Sequence, residues 1–122
     1  MKVYLMEDDH DVVKYIGDFC TKEGHKFSWS FHGGDALEMV ELTKPDLIIS
    51  DYQMPIRNGL DACENLRKKG IKTPIIFFTG SSFWLDREKE QVNFIKPLVL
   101  IRKDFDQLYE RIRIFAEELK DE

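Results

Sequence analysis

The sequence predicts an α/β domain in which a five-stranded parallel sheet carries helices on both faces. Three observations predict it. Strand-like and helix-like stretches alternate five times along the 122 residues. Several of the strand stretches are unbroken apolar runs, as expected where a sheet is covered on both sides. The connections are short, and right-handed crossovers over short connections leave few other topologies. A chain of this length buries one continuous core without disulfides or a structural metal.

The elements follow in order. Residues 3–6 form a first apolar strand, and Val12, Val13, Ile16, Phe19 and Cys20 then repeat at helical spacing until Gly24 closes the helix. Phe27, Trp29 and Phe31 alternate with polar residues, which is strand periodicity. Ala36, Leu37 and Val40 mark a short helix, residues 47–50 a continuous strand, and residues 52–59 a loop. Leu60, Cys63 and Leu66 face inward on a third helix that stops at Gly70, and residues 74–78 form a fourth strand. A shorter fifth strand is expected at residues 92–95, leaving only residues 80–91 for the preceding crossover, so the fourth helix is expected to be short or irregular. Ile101, Phe105, Leu108, Ile112, Phe115 and Leu119 keep three-and-four spacing in a final helix.

Composition excludes several functions. The net charge is -5 and the basic residues are scattered among acids, so direct nucleic-acid binding is not expected. No uncharged run approaches the roughly 20 residues of a membrane span. Acids from Glu7 onward interrupt the opening apolar stretch, which argues against a signal peptide and for a cytoplasmic protein. Cys20 and Cys63 fall on apolar helix faces and read as buried free thiols.

In a doubly wound sheet the functional groups gather at the carboxyl ends of the strands. Those ends hold Glu7-Asp8-Asp9, Asp51, Thr79 and Lys96-Pro97. Each has a plain structural role available, such as Asp8 or Asp9 capping the first helix, but together they suit one reaction. Carboxylates gathered at one mouth repel by about 4 kcal/mol per pair at a surface-like dielectric, which calls for a cation. With only oxygen ligands on offer, the fitting ion is a hard one such as Mg2+. Asp51 is then the candidate nucleophile toward phosphorus, with the Lys96 ammonium and Thr79 hydroxyl facing the phosphoryl oxygens.

These residues resemble the receiver domain of two-component response regulators, of the single-domain chemotaxis type, over the whole chain, 1–122. The landmarks are Glu7-Asp8-Asp9, Asp51 with Met54-Pro55 and Asn58-Gly59, Thr79-Gly80, and Lys96-Pro97. The resemblance implies a flavodoxin-like strand order 2-1-3-4-5 and phosphorylation of Asp51 by a histidine kinase or phosphotransfer protein. It further implies that Asp9, Asp51 and the Gln53 backbone carbonyl bind Mg2+ directly, that Asp8 acts through water, and that the Lys96-Pro97 bond is cis. Such a protein is a signalling phosphoacceptor rather than an enzyme, at most catalysing its own phosphorylation and dephosphorylation. It is expected to change affinity for an output partner, which lies on another protein unless this chain is part of a longer one.

Departures from the family pattern stand beside these landmarks. The switch aromatic usually found three residues before the lysine is replaced by Asn93, with Phe94 one place later. Phe83, Trp84 and Leu85 are three large apolar residues in a row, more than a short helix can bury. A phosphorylation-independent adaptor docking through Phe83, Trp84 and the final helix is therefore the alternative. A haloacid-dehalogenase type phosphatase would need a second acid where Gln53 stands. A weak homodimer through the final helix is possible, but no feature of the sequence supports it.

Overall fold

The computed structural model describes residues 1–51, 58–80 and 86–121. Five parallel strands form one sheet in the order β2-β1-β3-β4-β5: β1 (Lys2–Met6), β2 (Lys26–Ser30), β3 (Leu47–Ser50), β4 (Ile75–Thr79) and β5 (Val99–Arg102). The helices between and after them are α1 (His10–Lys22), α2 (Ala36–Thr43), α3 (Gly59–Lys68), α4 (Asp86–Ile95) and α5 (Phe105–Lys120). This is the doubly wound, flavodoxin-like order that the resemblance implies.

Side-chain alternation along the strands divides the core into two layers. Val3, Leu5, Leu47, Ile49, Ile76, Phe78 and Ile101 point to one face, where α1 and α5 cover them with Ile16, Phe19, Leu108 and Ile112. Tyr4, Met6, Ile48, Ile75 and Phe77 point to the other, under Val40, Leu60, Leu66 and Ile95 from α2, α3 and α4. The central strands β1, β3 and β4 are almost wholly buried, which is why they lack a polar side. Cys20 and Cys63 are both buried and free, as their positions suggested.

The structure corrects the end of the sequence reading. Residues 92–95 are not a strand but the last turn of α4, a ten-residue helix rather than a short one. The fifth strand lies further on, and Ile101 belongs to it rather than to the final helix, which starts at Phe105 behind an Asp104 cap. The physical reason is burial. Ile95 is fully buried while Phe94 beside it is 48% exposed, which suits a helix at the layer's edge and not a strand covered on both faces. The peptide bonds of the described residues, Lys96-Pro97 included, are all trans.

Candidate functional site

The strand register sets the geometry of the mouth. Met6 pairs with Ser50 across β1 and β3, so the next residues, Glu7 and Asp51, emerge side by side. The Asp51 N–H donates to the Met6 carbonyl at 3.0 Å and holds the two chain ends together. The alternation that sends Val3, Leu5, Leu47, Ile49 and Ile101 to the α1/α5 face, continued past the strand ends, brings Glu7, Asp51 and Lys103 to that same side.

They meet there. The Lys103 ammonium lies 2.5 Å from Glu7 Oε1 and 3.5 Å from Asp51 Oδ2, and its nitrogen stands 5.3 Å from the centre of the Phe78 ring. Lys103 is anchored from both directions, because its N–H donates to the Thr79 carbonyl and the next residue, Asp104, caps α5. Burial raises the Glu7 carboxyl to about 7 against the opposing pull of Lys103, with Asp51 adding repulsion. Burial draws Lys103 downward, but Glu7 and then Asp51 reverse it and leave the ammonium above its usual value. Glu7 is the buried member of the group at 1% exposure, while the Asp51 side chain keeps 13% and so remains accessible.

Glu7, Asp8 and Asp51 each offer a carboxylate oxygen, and these oxygens lie within 4.8 Å of one another. An all-oxygen set of three acids opposite a single ammonium fits a hard divalent cation such as Mg2+. Asp9 is not part of it. Its Oδ1 accepts from the Asp11 N–H at 2.9 Å and the Val12 N–H at 3.4 Å, so it is the N-cap of α1. The acidic pair facing Asp51 is thus Glu7-Asp8, one residue earlier than expected. Register was the available signal, since Glu7 is the residue that falls opposite Asp51.

Lys96 is the larger correction. It follows α4 at the amino end of β5, and the Leu98 N–H beside it bonds the carbonyl of Ile75, the first residue of β4. The four residues of β5, about 13 Å of strand, separate that end from Lys103. The lysine at the mouth is Lys103, which counting in twos from Val99 through Ile101 would have identified. Thr79 ends β4, 1% exposed, with its carbonyl held by Lys103. Gln53 and the Phe83-Trp84-Leu85 run lie outside the described residues.

The backbone of Asp51 is held from below. Ser50 Oγ donates to the Asp51 carbonyl at 2.6 Å, and a Cβ on Gly59 would collide with that same oxygen. Glycine is therefore required where α3 begins, and Asn58 caps that helix through the Asp61 N–H.

The model of the response regulator receiver domain matches residues 3–95. The chain belongs to this family. The match stops before β5, so it does not reach Lys103. Among curated proteins, the transcriptional regulatory protein DltR of Streptococcus agalactiae is 28% identical over 114 residues, covering 93% of this chain. That alignment takes in 51% of DltR, so the chain spans about half the length of this relative. Among solved structures, the BeF3-activated receiver domain of Klebsiella pneumoniae RstA superposes with a TM-score of 0.80 at 25% identity, covering 94% of this chain and 97% of that one. A Francisella response regulator receiver domain gives a TM-score of 0.82 at 24% identity, over 97% and 98% of the two chains. The receiver fold thus spans nearly the whole sequence, and no helix among the described residues is long and apolar enough to cross a membrane.

Proposed function

We propose that this receiver domain is a phosphorylation-operated switch whose acceptor is Asp51. The observation that carries the reading is the convergence of Glu7, Asp8, Asp51 and Lys103 at the carboxyl ends of β1, β3 and β5. Attack on a phosphoryl group needs a carboxylate that solvent and a donor can reach, with positive charge opposite the equatorial oxygens. The Asp51 side chain is open enough to be reached, and the Lys103 ammonium supplies fixed positive charge beside it. Thr79 takes the hydroxyl role at the end of β4. Glu7 and Asp8 with Asp51 would hold Mg2+, which when bound neutralises the acids and the incoming phosphate. A histidine kinase or phosphotransfer protein is the donor in this reading, and an output protein reads the result.

The route from phosphate to output differs from the usual family arrangement. Counted from Lys103, the place three residues earlier holds Leu100, an aliphatic residue packed against the α2/α3/α4 layer. The re-registered strand therefore offers no aromatic ring at that place, just as the Lys96 register did not.

The test is incubation with Mg2+ and a small acyl phosphate donor, followed by intact-mass measurement. One phosphoryl adduct is expected on the native chain and none on Asp51→Asn. An equal adduct on Asp51→Asn would remove Asp51 from the acceptor role, and no adduct on the native chain would favour the phosphorylation-independent adaptor.

A further inference from the structure

The opposite end of the sheet carries a second polar site. A cleft of about 700 Å3 lies between the end of α3, the connection before β4 and the end of α4, lined by Arg67, Lys72, Asn93, Phe94, Ile95 and Lys96. Its walls are fixed by Arg67, whose Nε donates to the Ile95 carbonyl at 2.8 Å while Nη1 donates to those of Ile71 and Thr73, each at 2.9 Å. Those bonds use neutral acceptors, so the guanidinium keeps its charge uncompensated there. The chain leaves α4 through Lys96 with a left-handed φ of 54°.

Charge and shape point to one kind of occupant. Three cations line the cleft, no carboxylate does, and among the described residues neither Lys72 nor Lys96 forms an ion pair. This local excess stands in a chain of net charge -5. A low-dielectric cleft with one sign of charge concentrates the opposite ion. Phe94 adds a half-exposed ring with no aromatic partner among the described residues, and Asn93 adds an amide with both donor and acceptor. A nucleic-acid strand would need a longer basic track and would meet the acidic remainder of the surface. A small phosphorylated ligand with a flat ring needs neither, and the volume falls within the range of ordinary ligand clefts.

We propose that this cleft binds a nucleoside phosphate, with the phosphates between Lys72 and Lys96 and the base against Phe94 beside Asn93. The site is separate from the phosphorylation mouth and does not depend on Asp51 accepting phosphate.

Titration of the chain with ATP, pyrophosphate and adenosine in Mg2+-free, low-salt buffer, followed by amide NMR, tests it. ATP should shift the resonances of residues 71–73 and 93–96 saturably. Pyrophosphate should bind at least about fivefold more weakly, since base stacking on an aromatic side chain contributes that much or more. Adenosine, without the charge, should bind weakly enough to leave the shifts unsaturated at the same concentrations. Lys72→Glu with Lys96→Glu should abolish the ATP shifts, and Phe94→Ala should bring ATP down to the pyrophosphate level. All three positions are exposed, so the variants should keep the native spectrum elsewhere. Absence of saturable shifts, pyrophosphate binding as tight as ATP, undiminished binding by the charge-reversed variant, or shifts confined to the Asp51 mouth would each overturn the proposal.

Discussion

At the scale of single residues, the two lysines make opposite predictions. Lys103 touches both Glu7 and Asp51, whereas Lys96 stands at the far end of β5. Lys103→Ala should slow phosphorylation of the chain by roughly 100-fold, within the range seen on removing one preorganised charge from a transferring group. Lys96→Ala should leave the rate within about twofold, and adduct formation against time measures both. Equal effects of the two substitutions would sink the Lys103 assignment. Glu7 predicts a pH dependence. Because its carboxyl sits near 7 when folded and near 4.5 in the unfolded chain, the folded state keeps a proton that the unfolded state has released between those values. Its contribution is therefore lost as pH rises through that window, the reverse of an ordinary salt-bridged carboxylate. A shift of that size is worth up to about 3 kcal/mol. Urea midpoints from pH 5 to 8 should fall for the native chain relative to Glu7→Gln, whose neutral side chain does not titrate; parallel curves would refute the assignment of the titration to Glu7.

At the scale of elements, the first helix separates capping from coordination. Asp9 satisfies two N–H groups at the start of α1, so Asp9→Ala should cost about 1 kcal/mol in denaturant stability and leave divalent-ion affinity unchanged. Asp8→Ala should do the reverse, because Asp8 is an exposed member of the acidic group. Loss of ion affinity in Asp9→Ala would return Asp9 to the metal site. The elements also show where local pattern was enough and where it failed. β1, β3, β4 and the paired helices were legible because burial on both faces writes an unbroken apolar run, and amphipathic burial writes a 3.6-residue period. The α4–β5 passage was not. Val92-Asn93-Phe94-Ile95 is too short a stretch for periodicity to tell strand from helix, and Ile101 satisfies both the alternation of β5 and the spacing of α5. Placing the strand seven residues early put Lys96 in the position that Lys103 occupies. The one-residue ambiguity among Glu7, Asp8 and Asp9 needed the β1–β3 register, a pairing between segments more than 40 positions apart.

At the scale of the whole molecule, the mouth is built at the ends of strands that also form the centre of the core. Glu7, Asp51 and Lys103 extend β1, β3 and β5, whose apolar residues pack against α1 and α5 in one layer. The acidic group joins the ends of β1 and β3, so an ion held there would tie two adjacent central strands together rather than a peripheral loop. An ion that binds the folded state alone stabilises it by mass action, about 2.7 kcal/mol at a hundredfold excess over its Kd. Mg2+ should therefore raise the thermal midpoint by an amount that grows with the logarithm of its concentration, and a chelator should return the protein to its ion-free value. Hydrogen exchange should slow at the amides of β1 and β3, including the Asp51 N–H that bonds Met6, and not only in the loops at the mouth. Asp8→Ala should show neither effect. Stabilisation of the same size in Asp8→Ala, or protection limited to the surface of α1, would mean that Mg2+ acts elsewhere and that the three carboxylates do not form its site.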